Sequence, residues 1–179
     1  MTSQVAHAWH DGTEVEPRSP WSVFAGFSSH AFSEAGIHLG GEYALARSQR
    51  FESLLQLGMQ GYGFGASESG YALQLRWGQR YTASFGLTLE SQLGIGGQYS
   101  LWETTVFTFE DSRGKPETRT RTGVSVIPHV MFGPGYDFSR LCAVPLHVYA
   151  RAGLLVLYPD MNDVFHLSAV AELGLRWTL

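Results

Sequence analysis

FHLSAVAELGLRWTL, residues 165–179, alternates without a break. Phe165, Leu167, Ala169, Ala171, Leu173, Leu175, Trp177 and Leu179 share one phase; His166, Ser168, Val170, Glu172, Gly174, Arg176 and Thr178 share the other. A period of two is the side-chain period of a β-strand, whereas an amphipathic helix needs apolar residues every three or four positions. An ordinary soluble strand runs about five or six residues. These fifteen exceed the roughly nine to eleven with which a tilted strand crosses a bilayer.

The same period recurs from Trp21 onward. In AGIHLGGEYALA it sets Ile37, Leu39, Tyr43 and Leu45 against His38, Gly40, Glu42 and Ala44, and in YALQLRWGQR it sets Tyr71, Leu73, Leu75 and Trp77 against Gln74, Arg76 and Gly78. SFGLTLESQLGIGG and CAVPLHVYARAGLLVLY repeat it, with Glu90 and Arg151 on their less apolar phases. Turn-forming and charged stretches such as GASESG, EDSRGKPETR, FGPGYDFSR and YPDMND punctuate it and read as loops. The predicted strands are 21–30, 35–47, 50–63, 69–79, 83–109, 117–132, 143–157 and 165–179. The fifth is long enough to be two strands joined at GIGGQ, but bacterial barrels have even strand numbers and eight satisfies parity. Pro128 and Pro145 each remove a ladder donor and predict a bulge or a strand end. Residues 1–20 show no sustained period and read as a flexible N-terminal arm, leaving 21–179 as one unit.

Composition narrows the class. Of 179 residues 21 are Gly, fitting close backbone packing, and the single Cys excludes an internal disulfide framework. No run of 18 apolar residues is present, so no helical span is expected. No charged start followed by an apolar run marks a signal peptide. A formal charge of −4, with Arg scattered and Lys115 the only Lys, argues against a nucleic-acid surface.

The less apolar phase carries Gly, Ser, Gln and Ala with isolated charges: Glu42, Glu90 and Glu172 against Arg76, Arg151 and Arg176. A water-facing surface normally shows Lys freely. A narrow closed interior favours small residues and Arg–carboxylate pairs, which would brace a barrel rather than line a pore. The fold expected is therefore all-β: a closed antiparallel transmembrane β-barrel of eight strands. Trp21, Tyr43, Phe51, Trp77, Tyr81, Tyr149, Tyr158, Phe165 and Trp177 lie near predicted strand ends, where interfacial aromatic girdles sit. A final strand that pairs with the first would leave no open edge.

ELGLRWTL, residues 172–179, resembles the C-terminal insertion signal of bacterial outer-membrane barrels. Glu172 falls on its polar position, Gly174 on its glycine, and Trp177 and Leu179 on its terminal hydrophobic positions; a terminal Phe is commoner there. Together with the alternation, the chain resembles the small eight-stranded outer-membrane barrels of the OmpA membrane-domain and OmpX-like kind. The resemblance implies a monomer in the bacterial outer membrane, contact with lipid and lipopolysaccharide, insertion by the barrel assembly machinery, and a structural or adhesive role in which loops meet an extracellular ligand.

Chemistry-bearing motifs are sparse. Seven His lack metal-ligand spacing, so neither metal nor cofactor is expected; His38, His129, His147 and His166 fall on the inward phase, and the His7/His10 pair lies in the arm. In HAFSEAG, His30, Ser33 and Glu34 offer a base, a nucleophile and an orienting carboxylate. The motif loosely resembles the His–Ser pair of outer-membrane lipid A deacylases but departs in spacing and position. A third reading, a soluble lipocalin-like binder of an apolar ligand, requires the apolar phase to point inward.

Overall fold

Alternation this long commits each strand to two different environments, and the register decides which face meets which. The computed structural model describes residues 19–30, 34–64, 68–107, 116–142, 144–159 and 165–179. Its strands are β1 (Trp21–His30), β2 (Glu34–Arg47), β3 (Phe51–Phe64), β4 (Glu68–Thr82), β5 (Leu87–Phe107), β6 (Pro116–Val126), β7 (His129–Asp137), β8 (Leu146–Leu157) and β9 (His166–Thr178). A single helical turn, α1 (Ser139–Cys142), precedes β8. Every pairing is antiparallel, and β1 pairs with both β2 and β9, closing the ring.

Eight positions make up that ring. Both β6 and β7 pair with β5 in one unshifted register, Val126 opposite Gly97 and His129 opposite Gly94. Pro128, which has no N–H to donate, stands in the gap between them and explains the break. Above it, β6 extends beyond the ring as the second arm of a hairpin with β5. GIGGQ is no hairpin; it runs straight through β5, where Gly97 pairs with Leu73. FGPGYDFSR is not all loop either, since β7 continues to Asp137. Pro134 fits because the β7–β8 ladder skips from Phe132 to Gly135, so its missing donor costs no pairing. Pro145 ends a connection, with β8 starting one residue later.

The stagger follows from the register. Starting at Ser168, successive partners are Leu155, His129, Gly94, Arg76 and Gln56, then Glu42 and Ser22, which returns to β9 at Thr178. One circuit thus climbs ten residues of β9, from Ser168 to Thr178. Eight strands with that stagger imply a tilt of about 40° and a backbone radius of roughly 8 Å. A cylinder this narrow is filled by its own side chains.

The large apolar residues face out. Leu39, Leu57, Leu75, Leu93, Val130 and Leu173 are all exposed, whereas the opposite phase buries Gln56, Gln60, Gln74, Ser28, Ser100 and Thr88. An apolar outside around a polar inside is a transmembrane barrel, with the bilayer as its apolar solvent. The soluble lipocalin-like expectation is overturned, because that fold needs the reverse. The interior is not wholly polar: Met131, Leu155 and Val170 form a buried apolar cluster.

Most of the expected aromatic positions face outward near strand ends, including the Trp21–Tyr43 pair at 4.7 Å and the Phe51–Tyr81 pair at 5.0 Å between ring centroids. Tyr149 does not. It lies on the inward phase and is buried. The arm over residues 1–18 lies outside the described residues.

Candidate functional site in the barrel interior

Among the described residues, inward charges come from six strands, and the register stacks them in two connected tiers. In one tier Glu172, on β9, receives Arg76 in a forked contact, Nη1 to Oε2 at 2.8 Å and Nη2 to Oε1 at 2.5 Å. Arg151 adds Nη2 to Oε2 at 2.8 Å. The Arg76 guanidinium also donates to Gln74 Oε1. All three charged side chains are buried, so each charge depends on these partners for its solvation.

In the second tier Arg80 bonds three carboxylates: Glu90 Oε1 at 2.5 Å, Glu52 Oε2 at 2.7 Å and Glu42 Oε1 at 2.8 Å. Arg176 reaches Glu90 Oε1 at 2.6 Å and Glu42 Oε2 at 3.0 Å. Gln56 donates to Glu42, and Arg47 reaches Glu52 at 2.5 Å. Arg151 Nη1 stands 3.6 Å from Glu90 Oε2 and ties the tiers together. All six charges singled out in the sequence lie in this network. Arg80, its most connected cation, was not among them, although it stands four residues after Arg76 and hence on the same phase.

Three buried histidines fill the remaining space. His38 Nε2 lies 2.7 Å from the Tyr149 hydroxyl, and His129 Nδ1 lies 3.0 Å from the Ile127 carbonyl. Arg176 Nη1 donates to His147 Nδ1 at 3.0 Å, which places the ring proton on Nε2, 2.7 Å from Thr88 Oγ1. The Tyr149 ring takes Arg151 at 4.1 Å from its centroid, a cation–π contact that sequence periodicity alone would not disclose. His166, expected inside, is exposed at the start of β9. There the strand has only begun to pair with β8 and has not reached β1, whose ladder starts opposite Val170.

Set against solved structures, the barrel is similar to Ail, the attachment invasion locus protein of Yersinia pestis, with TM-score 0.56 at 12% identity over 91% of this chain and 100% of that one. It is similar also to Neisserial surface protein A, with TM-score 0.55 at 13% identity over 92% of this chain and 100% of that one. A de novo designed transmembrane β-barrel gives TM-score 0.53 at 14% identity over 93% and 100% of the two chains. At these identities the likeness is one of fold. No protein-family model and no curated protein matches the chain.

Of the remaining candidates, Ser33, His7 and His10 lie outside the described residues, as do the side chains of His30 and Glu34; on the backbone, His30 pairs with Glu34 where β1 meets β2. Among the described residues no group of three or more His, Cys, Asp or Glu side chains is placed to hold a metal ion. In the C-terminal segment, Glu172 and Gly174 face inward, whereas Trp177 and Leu179 face outward.

Where β1 begins and β9 ends, the interior widens into a vestibule of about 760 Å³ floored by Arg80, Arg176 and His147. Arg140 Nη2 donates to the Gln49 carbonyl at 3.2 Å and links α1 to the β2–β3 turn at its rim. The β4–β5 turn beside it needs Gly86 at φ 100°, a left-handed conformation natural to glycine.

Proposed function

We propose that this chain is a small monomeric barrel of the bacterial outer membrane with a structural or adhesive role, its interior sealed by an ionic core and its loops offering the recognition surface. The observation that carries this reading is the double inversion of environment: exposed Leu, Val and aromatic residues around a cylinder whose buried phase is Arg, Glu, Gln and Ser. A barrel of this radius packed with forked Arg–carboxylate pairs has no aqueous lumen to conduct through. The likeness to Ail and to Neisserial surface protein A, both named for attachment or surface location, supports placing this chain among surface barrels.

The lipid-facing phase fits contact with membrane lipid and lipopolysaccharide. Trp177 and Leu179 face outward at the strand end, where the barrel assembly machinery would read them, while Glu172 of the same segment is an interior anchor. Purified protein inserted into planar bilayers tests the sealed core: only small or no conductance is expected, and large, stable single-channel steps would overturn it. Expression in a non-adherent Gram-negative host tests the surface role, with increased binding to host-cell monolayers expected. Binding equal to the empty vector would remove the adhesive part.

A further inference from the structure

The outer wall has two edges and one hollow. At the edge nearer the termini, Trp77 and Gln79 on β4 both donate to Ser53 Oγ, at 3.0 and 3.3 Å. At the other edge stand Tyr71 and Tyr99, paired across β4 and β5 and 66% and 44% exposed. From Gln79 to Tyr71 the strand climbs about 20 Å along the barrel axis at a tilt of about 40°. That is close to the height of the apolar band of a membrane barrel, about 25 Å. The two tyrosines therefore lie at the level where acyl chains meet their ester groups.

Just inside this edge the wall opens into a hollow of about 290 Å³, with Met59, Tyr71, Leu73, Gly97, Tyr99 and Val124 in its lining. The ladder explains it. Leu73 stands between Met59 and Gly97, and Tyr99 stands between Tyr71 and Val124. Gly97 alone of these six brings no side chain. A Cβ added there would meet nothing within 4 Å, so no neighbour closes the gap. Lining atoms without a partner forfeit dispersion contacts, and an apolar gap gives water little to bond. Among the described residues no charged side chain lines the hollow, so nothing there selects the phosphorylated sugars of lipopolysaccharide.

We infer that this hollow seats one acyl chain of a diacyl phospholipid, the chain lying over Gly97 and its ester end held by the Tyr71 and Tyr99 hydroxyls. The inference rests on the outer-membrane reading, because the hollow is continuous with the lipid-facing surface of Leu57, Leu75 and Leu93. Its volume holds on the order of ten groups the size of a water or a methylene, which is a stretch of one chain and not a whole lipid. The tyrosine rings cover that chain with apolar area, while each hydroxyl can donate to an ester carbonyl.

The test uses the full chain folded in non-ionic detergent micelles, titrated with dioleoylphosphatidylethanolamine and read by native mass spectrometry. The unaltered chain is expected to retain one phospholipid per barrel, saturably. G97L places a side chain in the hollow without meeting another atom at its Cβ. It is expected to weaken retention about tenfold, the worth of roughly two buried methylenes. G63L is the control: Gly63 is exposed and its Cβ would also meet nothing within 4 Å, but it lies outside the hollow, so retention should be unchanged. Circular dichroism of the same samples separates this inference from the reading beneath it. A chain that does not fold in micelles would overturn the barrel and the acyl site together. Folded G97L that retains phospholipid like the unaltered chain, an equal loss in G63L, or preferential retention of lipid A would overturn the acyl site alone.

Discussion

Replacing Glu172 by Gln removes the full negative charge and almost no volume, and its cost can be worked from the geometry. The carboxylate takes two bonds from Arg76, at 2.8 and 2.5 Å, and one from Arg151 at 2.8 Å. Its side chain is 0% exposed, as is that of Arg151, and Arg76 is 7% exposed, so water cannot replace what is lost. The amide offers one acceptor oxygen and turns two N–H donors towards cations. Arg151 keeps Glu90 at 3.6 Å, but Arg76 keeps only the neutral Gln74. Breaking a buried pair on one side costs about 3–5 kcal/mol, and that is the expected loss for E172Q. Removing both partners leaves neither of the two buried alone, and Arg151 falls back on Glu90 at 3.6 Å: R76M/E172M should cost less than the two single substitutions together, with a coupling of at least ~2 kcal/mol. Urea unfolding of vesicle-inserted protein, followed by tryptophan fluorescence, measures E172Q and the four members of the cycle. An E172Q loss below about 0.5 kcal/mol, or a cycle additive within ~0.5 kcal/mol, would refute the claim that this pair anchors the core.

Two further substitutions probe the wall. Leu173 is exposed on β9 between Glu172 and Gly174; L173R should cost about 2–4 kcal/mol in a bilayer, measured in the same unfolding assay, whereas a water-facing position would tolerate it. Gly133 faces inward, where an added Cβ would overlap the Ala150 carbonyl and come within 2.6 Å of the Arg151 Cα; G133A should cost about 1–3 kcal/mol or block folding, read as loss of the heat-modifiable band on electrophoresis.

The fold was legible because the bilayer and the narrow interior impose opposite chemistry on successive residues, and that alternation survives in a single sequence. Strand β9 could be read almost to the residue for this reason. What alternation does not encode is height. Glu172 and Arg76 are 96 residues apart, and their contact depends on the stagger, which only the pairing of all eight ring positions sets. The same limit explains Tyr149. Its position near a strand end suggested an interfacial girdle, but its phase, shared with His147 and Arg151, already placed it inside. Where phase and position disagree in a barrel, phase decides, because a one-residue slip would move every side chain of the strand to the other environment. Arg80 was legible on the same ground, through its phase with Arg76. The break at Pro128 was legible as a strand end, but not as an interruption across which the register is kept; that needs the partner strand, Gly94 and Gly97 on β5, to be in view.

Stagger also explains why the ionic core has a direction. Residues on one strand that share a phase lie at successive heights, so Arg76 and Arg80 enter different tiers: the first meets Glu172, the second meets Glu42, Glu52 and Glu90. Arg151 and Arg176 do the same on β8 and β9, one bridging the tiers and the other reaching the vestibule floor. Carboxylates outnumber guanidiniums around Arg80, but Arg176 and Arg47 bind those same carboxylates from the vestibule side. In that tier three guanidiniums therefore face three carboxylates, and the unmatched cation of the buried network belongs to the deeper tier, where Arg76 and Arg151 share Glu172. A buried cation without a matching charge carries a desolvation cost, and here it is offset by Glu90, 3.6 Å from Arg151, and by the Gln74 oxygen that accepts from Arg76. The buried network is therefore balanced where it meets the vestibule and cationic one tier deeper, with Arg151 as the link that spreads that charge over both tiers.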